Sequence, residues 1–140
     1  KQRVKKLKLE KNIKFLPAVN YETLYKTLEG YDVFIHPSCY ADDRDCEGGA
    51  PVVLLDAQAT GMPVIATRHC DIPDEVVHQK TGMLSNEKDI VGLAQSIEYF
   101  YNIDDRMFQA FSNNARNHVE ENYNIVENSK NLRSIYTGIL

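Results

Sequence analysis

Short runs of β-branched and apolar residues alternate along this chain with stretches of helical spacing. The runs at residues 13–16, 32–36, 63–67 and 81–84 predict strands, and helical patterns lie between them. Strands that alternate with helices form parallel sheets, because a parallel pair needs a crossover connection. The alternation therefore predicts an α/β fold, an open Rossmann-like parallel sheet flanked by helices.

The helical segments are bounded by recognisable capping signals. Asn20 is the predicted N-cap of a helix over residues 21–28, which Glu29 and Gly30 end. A second helix, over residues 52–60, is expected to hold Pro51 in its first turn and to end at Gly61. Further helices are predicted over residues 89–101, 106–121 and 125–139.

Length and composition indicate one domain in a reducing compartment. The 140 residues are 43% hydrophobic, and the longest apolar runs fall far below the roughly 20 residues that a membrane helix needs. The three cysteines are an odd number without the spacing of a disulfide framework. We therefore expect a cytoplasmic protein.

Charge is unevenly distributed along the chain. Residues 1–11 hold six Lys or Arg and one Glu, whereas the remainder is acidic and the net charge is -4. An acidic body is unsuited to polyanions, so we expect no nucleic-acid partner. The basic start is interpreted as a solvated helix face, and because it resembles the tail of a helix, we expect an excised fragment of a longer protein.

A glycine turn stands directly before the helix predicted at residues 52–60. Its sequence is Gly48-Gly49-Ala50-Pro51. Unpaired backbone N–H groups and the helix dipole favour an anion such as phosphate at this position, and glycines let a ligand approach the backbone closely. A glycine pair before a helix is also common in ordinary turns, so the neighbouring residues must decide.

Asp56 is the one acidic residue in that predicted helix, whose other positions are mostly apolar. An apolar pattern on all sides predicts burial, and a buried carboxylate needs hydrogen-bond partners. Backbone N–H groups, a basic side chain or ligand hydroxyls could supply them. The alternative is that Asp56 shares a narrow solvent-facing stripe with Gln58.

Residues 47–67, with the sequence EGGAPVVLLDAQATGMPVIAT, closely resemble the signature of the glycosyltransferase group 1 family (family 4), which has the two-domain GT-B fold. The resemblance continues in DVFIHPS at residues 32–38, IPDEV at residues 72–76 and TGML at residues 81–84. It implies that residues 1–140 are a single partial domain, the C-terminal nucleotide-sugar-binding domain of a glycosyltransferase without its first strands.

The resemblance also implies a role for each residue of the turn. Two carboxylates bracket the turn in that family: Glu47 matches the one that contacts the donor sugar, and Asp56 matches the one that holds the ribose hydroxyls. The backbone N–H groups of Gly48, Gly49 and Ala50 would face the diphosphate. The implied donor site is therefore Glu47, Gly48, Gly49, Ala50, Pro51 and Asp56, with Glu47 as the catalytic residue.

The implied reaction is transfer of a sugar, with retention of configuration, from a nucleotide-diphospho-sugar donor that is UDP- or GDP-linked. No metal and no other cofactor is expected. The acceptor would be a carbohydrate or a lipid-linked molecule bound by an N-terminal domain outside this chain. Similar chains serve polysaccharide or lipopolysaccharide biosynthesis, so the full-length enzyme could associate peripherally with the inner membrane.

The sequence departs from the family pattern in three places. Eight residues separate Glu47 from Asp56, one more than usual, and the second acid is Asp rather than the commoner Glu. The extra residue is expected to bulge in the glycine turn; displacement of Glu47 is the alternative. Cys70-Asp71 replaces two glycines of many relatives. In that family, an Arg and a Lys that bind the diphosphate belong to the first two strands of this domain, which we expect before Lys1. We therefore expect this fragment alone to be inactive.

Other catalytic and metal-binding interpretations are weaker. Asp43-Arg44-Asp45 imitates an Asp-x-Asp metal motif, but three-residue motifs are common by chance. A zinc site formed by Cys39, Cys46, His69 and Cys70 lacks any Cys-x-x-Cys pair.

Cys70 is not favoured as a nucleophile activated by His69, because adjacent residues in an extended chain point apart. His36 is interpreted as a structural histidine at the end of a buried strand.

Three other functional classes remain as alternatives. A nucleotide-sugar epimerase of the same fold would bind a similar donor without an acceptor. A phosphorylase would need a cofactor lysine site, which the sequence does not reveal. A flavodoxin-like interaction domain would share the alternation of strands and helices, because one fold hosts many functions.

Overall fold

The structure, a computed structural model, describes residues 1–43, 45–46 and 49–139. The helices are α1 Gln2–Lys6, α2 Tyr21–Leu28, α3 Val53–Ala59, α4 Ile72–Glu75, α5 Ile90–Asn102, α6 Asp105–Asn122 and α7 Ile125–Ile139. The strands are β1 Phe34–His36, β2 Val64–Thr67 and β3 Gly82–Ser85.

The three strands form one parallel sheet in the order β1-β2-β3. Phe34 pairs with Val64, and Val64 pairs in turn with Gly82. Because all three strands run in the same direction, their carboxyl ends lie along one edge of the sheet. The predicted α/β fold with a parallel sheet flanked by helices is confirmed.

Strand β2 is buried along its whole length and divides the core into two layers. Val64 and Ala66 pack with Leu54 of α3 and with Ile72 of α4, while Ile65, between them in sequence, packs on the opposite face. The aromatic rings of α5 and α6 cover that opposite face. The alternation follows from the two-residue period of a strand, and it places helices on both sides of the sheet.

Gly82 is required by the close pairing of β2 and β3. A Cβ atom at this position would overlap the carbonyl oxygen of Val64 in the neighbouring strand. Glycine is therefore the residue that lets these two backbones pair at this point.

The strand predicted at residues 13–16 is wrong. These residues have no regular structure, and they are exposed. Strand formation needs a hydrogen-bonded neighbour, and within the described chain the sheet ends at β1 without a partner for this segment. Apolar character alone was the basis of the prediction, and it does not specify a partner strand.

Strand β1 is confirmed but is shorter than predicted and is not buried. Its central residue, Ile35, is 44% exposed, because β1 is the edge strand of the described sheet. The short helix α4, which the sequence analysis did not predict, follows the turn after β2. The helices predicted over residues 52–60, 89–101, 106–121 and 125–139 are present with bounds that shift by at most a residue at either end, and α2 begins and ends as predicted.

Within the described residues, no helix combines the length and the apolar character that crossing a membrane would require.

Candidate functional site

A cleft opens at the carboxyl ends of β1 and β2, where ligands of open α/β sheets bind. Its volume is about 630 Å³, within the range typical of small-molecule sites. The described residues that line it are His36, Pro37, Ser38, Cys39, Ala41, Asp45, Cys46, Gly49, Pro51 and His69. We call it the strand-end cleft.

The loop after β1 and the end of β2 are tied together beneath this cleft. The Thr67 hydroxyl donates to the carbonyl oxygen of Ser38 at 2.5 Å. The backbone N–H of Tyr40 donates to the Glu87 carboxylate at 3.1 Å, so the same loop is also held from beyond β3. The described residues of this loop, 37–43 and 45–46, thus contribute to the lining of the cleft and are held by one side chain at the end of β2 and one beyond β3.

Three of the four residues of the predicted glycine turn, Gly49, Ala50 and Pro51, are described. Glu47 and Gly48 lie outside the described residues. Gly49 has a positive φ of 27°, and it lines the strand-end cleft together with Pro51. Pro51 was predicted in the first helical turn, but it precedes α3, and its carbonyl oxygen accepts a hydrogen bond from Leu54.

Asp56 lies in the first turn of α3 and is half-buried. The predicted burial on all sides of this helix is wrong, since Val52 at its N-cap is 66% exposed. The hydroxyls of Tyr21 and Tyr25 in α2 both donate to Asp56 Oδ1, each at 3.2 Å. Within the described residues no hydrogen bond reaches Oδ2, so one face of the carboxylate is available to a ligand.

The sequence analysis missed Tyr21 and Tyr25. They are four residues apart, a spacing that places two side chains on one face of a helix, and this was the available signal. The hydrogen bond with Tyr21, with burial and the charge of Asp56 as further causes, raises the pKa of Tyr25 to about 12. The Tyr25 phenol therefore remains a protonated donor to Asp56 throughout the neutral range.

Gln58 does not share a solvent stripe with Asp56. Its side chain is fully buried, and its amide nitrogen donates to the carbonyl oxygens of Leu54 and Glu75, at 3.2 and 2.9 Å. The bond to Glu75 connects α3 to α4. The alternative that paired Asp56 with Gln58 on an exposed stripe is therefore wrong.

His69 is the buried polar residue of the strand-end cleft. It is 3% exposed, and its Nδ1 lies 2.7 Å from Oε1 of Glu87. The hydrogen bond from His69, assisted by that from the backbone of Tyr40, lowers the pKa of Glu87. The ring of Tyr40 meets the imidazole edge to face, with 4.7 Å between the ring centres.

The side chains of His69 and Cys70 converge, although adjacent residues were expected to point apart. Cys70 has a positive φ of 44°, and this turn of the backbone brings its Sγ to 3.4 Å from His69 Nε2. The ligand atoms of Cys46, His69 and Cys70 all lie within 4.8 Å of one another. Three of the four residues that were considered as a zinc site are therefore together, and Cys39 is not among them.

Two further residues from the sequence analysis differ from expectation. His36 is only half-buried and lines the strand-end cleft, so it is not enclosed in the core. Asp43 accepts a hydrogen bond from the backbone N–H of Asp45 at 3.1 Å, which is a local turn contact. Arg44, the middle residue of that Asp-x-Asp sequence, lies outside the described residues.

Comparisons with known proteins agree on one family. The family model described as "Glycosyl transferases group 1" matches residues 1–118. A protein of Escherichia coli K12, named as a colanic acid biosynthesis glycosyltransferase, is 37% identical over 80% of this chain and 27% of its own length. The amylovoran biosynthesis glycosyltransferase of Erwinia amylovora is 37% identical over 61% of this chain and 21% of its own.

A solved structure gives the same fold. The structure of Anabaena HepE in complex with UDP aligns with a TM-score of 0.81 and 18% identity, over 98% of this chain and 35% of that one. The chain described here thus spans about a quarter of the length of the curated relatives that it matches.

Proposed function

The chain belongs to the glycosyltransferase group 1 family, and from this premise we propose that residues 1–140 form a donor-binding domain. The domain is the C-terminal part of a retaining enzyme that moves a sugar from a nucleotide-diphospho-sugar to an acceptor. The whole protein acts as a hexosyltransferase, and this chain alone does not complete the reaction.

The geometry of Asp56 is the observation that carries this proposal. Its Oδ1 is held by two phenols, while Oδ2 has no hydrogen bond within the described residues. A carboxylate held in this way can accept hydrogen bonds from both hydroxyls of a ribose, and charge-assisted bonds of this kind are the stronger ones. The two tyrosines orient the carboxylate in advance, which reduces the cost of binding.

The strand-end cleft supplies space for the rest of the donor. Gly49 and Pro51 line it, and Asp56, in the first turn of α3, follows Pro51 by five residues along the chain. A diphosphate beside Gly49 and Ala50 would place the ribose near Asp56 and the sugar in the cleft. Glu47 and Gly48 lie outside the described residues. Glu47 is proposed to contact the sugar and to act as the catalytic residue, and Gly48 is proposed to complete the turn.

The chemistry of the donor is proposed from the solved structures. Anabaena HepE holds UDP in one structure and UDP-glucose in another. A nucleoside diphosphate linked to a hexose is therefore the proposed donor, UDP- or GDP-linked. The acceptor is a carbohydrate or a lipid-linked precursor in polysaccharide assembly, in keeping with the colanic acid and amylovoran relatives.

A nucleotide panel tests donor binding directly. The full-length protein is melted in the presence of UDP, GDP or ADP, with UMP, GMP and AMP as matched controls without the second phosphate. A ligand at 100 times its Kd adds about 2.7 kcal/mol to the free energy of unfolding, which raises the Tm by several degrees. One nucleoside diphosphate should raise the Tm more than its monophosphate does. An unchanged Tm with all three diphosphates would overturn the proposal.

A second measurement separates a transferase from an epimerase of the same fold. The preferred nucleotide-sugar is incubated with the full-length protein without any acceptor, and the donor is followed by NMR. A transferase leaves the sugar configuration of the donor unchanged. Conversion of the donor to an epimer under these conditions would contradict transfer and favour the epimerase.

A further inference from the structure

The described residues bring two thiols and one imidazole together in the wall of the strand-end cleft. Cys46 comes from the loop after β1, whereas His69 and Cys70 come from the turn after β2. Neither sulfur has a role in donor binding as proposed above. Two separate loops thus converge to place three soft or borderline ligand atoms within 4.8 Å of one another.

The distances suit a tetrahedral metal. A zinc ion with Zn–S bonds of about 2.3 Å and Zn–N bonds of about 2.0 Å holds its ligand atoms about 3.5 to 3.7 Å apart. Cys70 Sγ already lies 3.4 Å from His69 Nε2. The remaining ligand separations, at no more than 4.8 Å, would need to close by roughly 1 Å, a movement that loop side chains can make.

The surroundings of His69 resemble the support that metal-binding histidines have. Its Nδ1 lies 2.7 Å from the Glu87 carboxylate, and this hydrogen bond leaves Nε2 directed towards Cys70. Histidines that bind zinc almost always donate their other ring N–H to a carboxylate, a carbonyl or water, which fixes the tautomer and raises basicity. Glu87 is in turn held by the backbone N–H of Tyr40, at 3.1 Å.

The chain also adopts a rare backbone conformation at this cluster. Cys70 has a φ of 44°, in the left-handed region that side chains other than glycine seldom occupy. This conformation lets two adjacent residues direct their ligand atoms to one point. Local strain of this kind concentrates at functional sites.

We propose that Cys46, His69 and Cys70 form a binding site for a soft divalent metal ion, with Zn²⁺ as the fitting occupant. The two sulfurs bind as thiolates and His69 binds through Nε2, while Glu87 positions the imidazole. Three protein ligands leave a fourth tetrahedral position for water or for a group of a molecule in the cleft. Binding releases the two thiol protons to solvent, so affinity falls as the pH is lowered.

This site is distinct from the family's donor chemistry, for which no metal was expected from the sequence. It does not depend on the donor proposal, in which neither Cys46 nor Cys70 has a role. Metal binding is therefore measured without nucleotide and without enzyme activity.

The test is a Co²⁺ titration of the reduced full-length protein in metal-free buffer. Co²⁺ reports thiolate ligation through charge-transfer absorption, and d–d bands report tetrahedral geometry. The expected result is saturation at one equivalent, followed by loss of the signal when Zn²⁺ is added. The absence of thiolate charge transfer, or binding that never saturates, would overturn the proposal.

Substitutions assign the ligands, and the third cysteine supplies the matched control. Cys46→Ser and Cys70→Ser should each weaken Zn²⁺ affinity by at least about 100-fold, because a hydroxyl is a poor substitute for a thiolate. Cys39→Ser alters a neighbouring cleft cysteine outside the cluster and should leave affinity within about 3-fold of the parent value. Equal losses in all three variants would refute the assignment.

Glu87→Gln separates a positioning role from ligation. The amide retains the shape of the carboxylate but not its charge, and the loss of such a partner typically lowers metal affinity by about 10-fold. The tetrahedral Co²⁺ spectrum should persist in this variant, because its three ligands are intact. A lost spectrum with a retained fold would mean that Glu87 is itself a ligand, and it would contradict the proposed set of Cys46, His69 and Cys70.

Discussion

Two regions of the molecule differ sharply in how far their side chains are buried. The packed region, residues 54–115, contains β2, β3, α5 and most of α6, and it supplies all the buried apolar residues of the described core except Leu28. The open edge, the described residues 1–46, contains α1, α2 and β1 and is largely exposed. Asp56 lies at the boundary, carried by α3 of the packed region and contacted by α2 of the open edge.

This difference in burial predicts that one region determines stability and the other affects ligand affinity. Substitutions in the packed region should change the free energy of unfolding, because removal of buried contacts or insertion of atoms is costly there. Substitutions on the open edge should change ligand affinity with little effect on stability.

Gly82→Ala should give the largest effect. Its Cβ would overlap the carbonyl oxygen of Val64, so β2 and β3 could pair only after a backbone shift. We expect a loss of at least about 3 kcal/mol in the free energy of unfolding, measured by urea denaturation. Gly138→Ala is the matched control, since a Cβ there meets nothing within 4 Å. Similar stability of the two variants would contradict the described strand pairing.

Glu75 makes the free energy of unfolding depend on pH. It is 8% exposed, and burial, with a further contribution from Asp71, raises its pKa from the ordinary 4.5 to about 7. Because the folded protein binds this proton more tightly than the unfolded chain, stability decreases as the pH rises from about 4.5 to about 7.

Glu75→Gln removes this titration. Relative to the variant, the parent protein should lose about 2 to 3 kcal/mol of its free energy of unfolding between about pH 5 and about pH 8. Urea denaturation at each pH measures the difference. Glu98→Gln, at an exposed glutamate, is the control and should keep the parent's pH dependence. A parallel pH dependence in parent and Glu75→Gln would mean that Glu75 ionises normally.

The tyrosines of the open edge should have a smaller effect, on binding alone. The double variant Tyr21→Phe/Tyr25→Phe removes both hydroxyls that orient Asp56, and nucleotide affinity should fall by about 3- to 10-fold. The Tm without ligand should stay within about 2 °C of the parent value, since both side chains are exposed.

Tyr31→Phe, at another exposed tyrosine of the open edge, serves as the control and should leave affinity unchanged. Calorimetric titration measures the affinities. A large loss of Tm with unaltered affinity would reverse the assignment, and it would place these tyrosines among the structural contacts.

The sequence predicted the packed region better than the open edge, for a physical reason. The strands predicted at residues 63–67 and 81–84 are present, because each of these apolar runs has a pairing partner in the described sheet. Residues 13–16 have similar apolar character, but the described part of the chain offers them no partner strand, and they are irregular. Periodicity reports which residues prefer burial, and it does not report whether a partner is present.

The candidate site was predictable where a local motif carries it and not where distant loops meet. The glycine turn and Asp56 could be identified from one continuous segment. The contacts of Asp56 with Tyr21 and Tyr25 span at least 31 positions, and the Cys46–His69–Cys70 cluster joins two loops through a backbone turn at Cys70. No spacing along the sequence predicts that these segments come into contact.

The most direct test of the central claim is nucleotide binding by Asp56→Asn. The amide retains the size of the side chain but loses the charge that strengthens bonds to a ribose diol. The affinity of the full-length protein for its preferred nucleoside diphosphate should fall by at least about 10-fold, corresponding to 1.4 kcal/mol or more. Asp43→Asn, in the exposed acidic loop, should change that affinity by less than about 2-fold. Equal effects of the two substitutions would contradict the assignment of Asp56 to the donor.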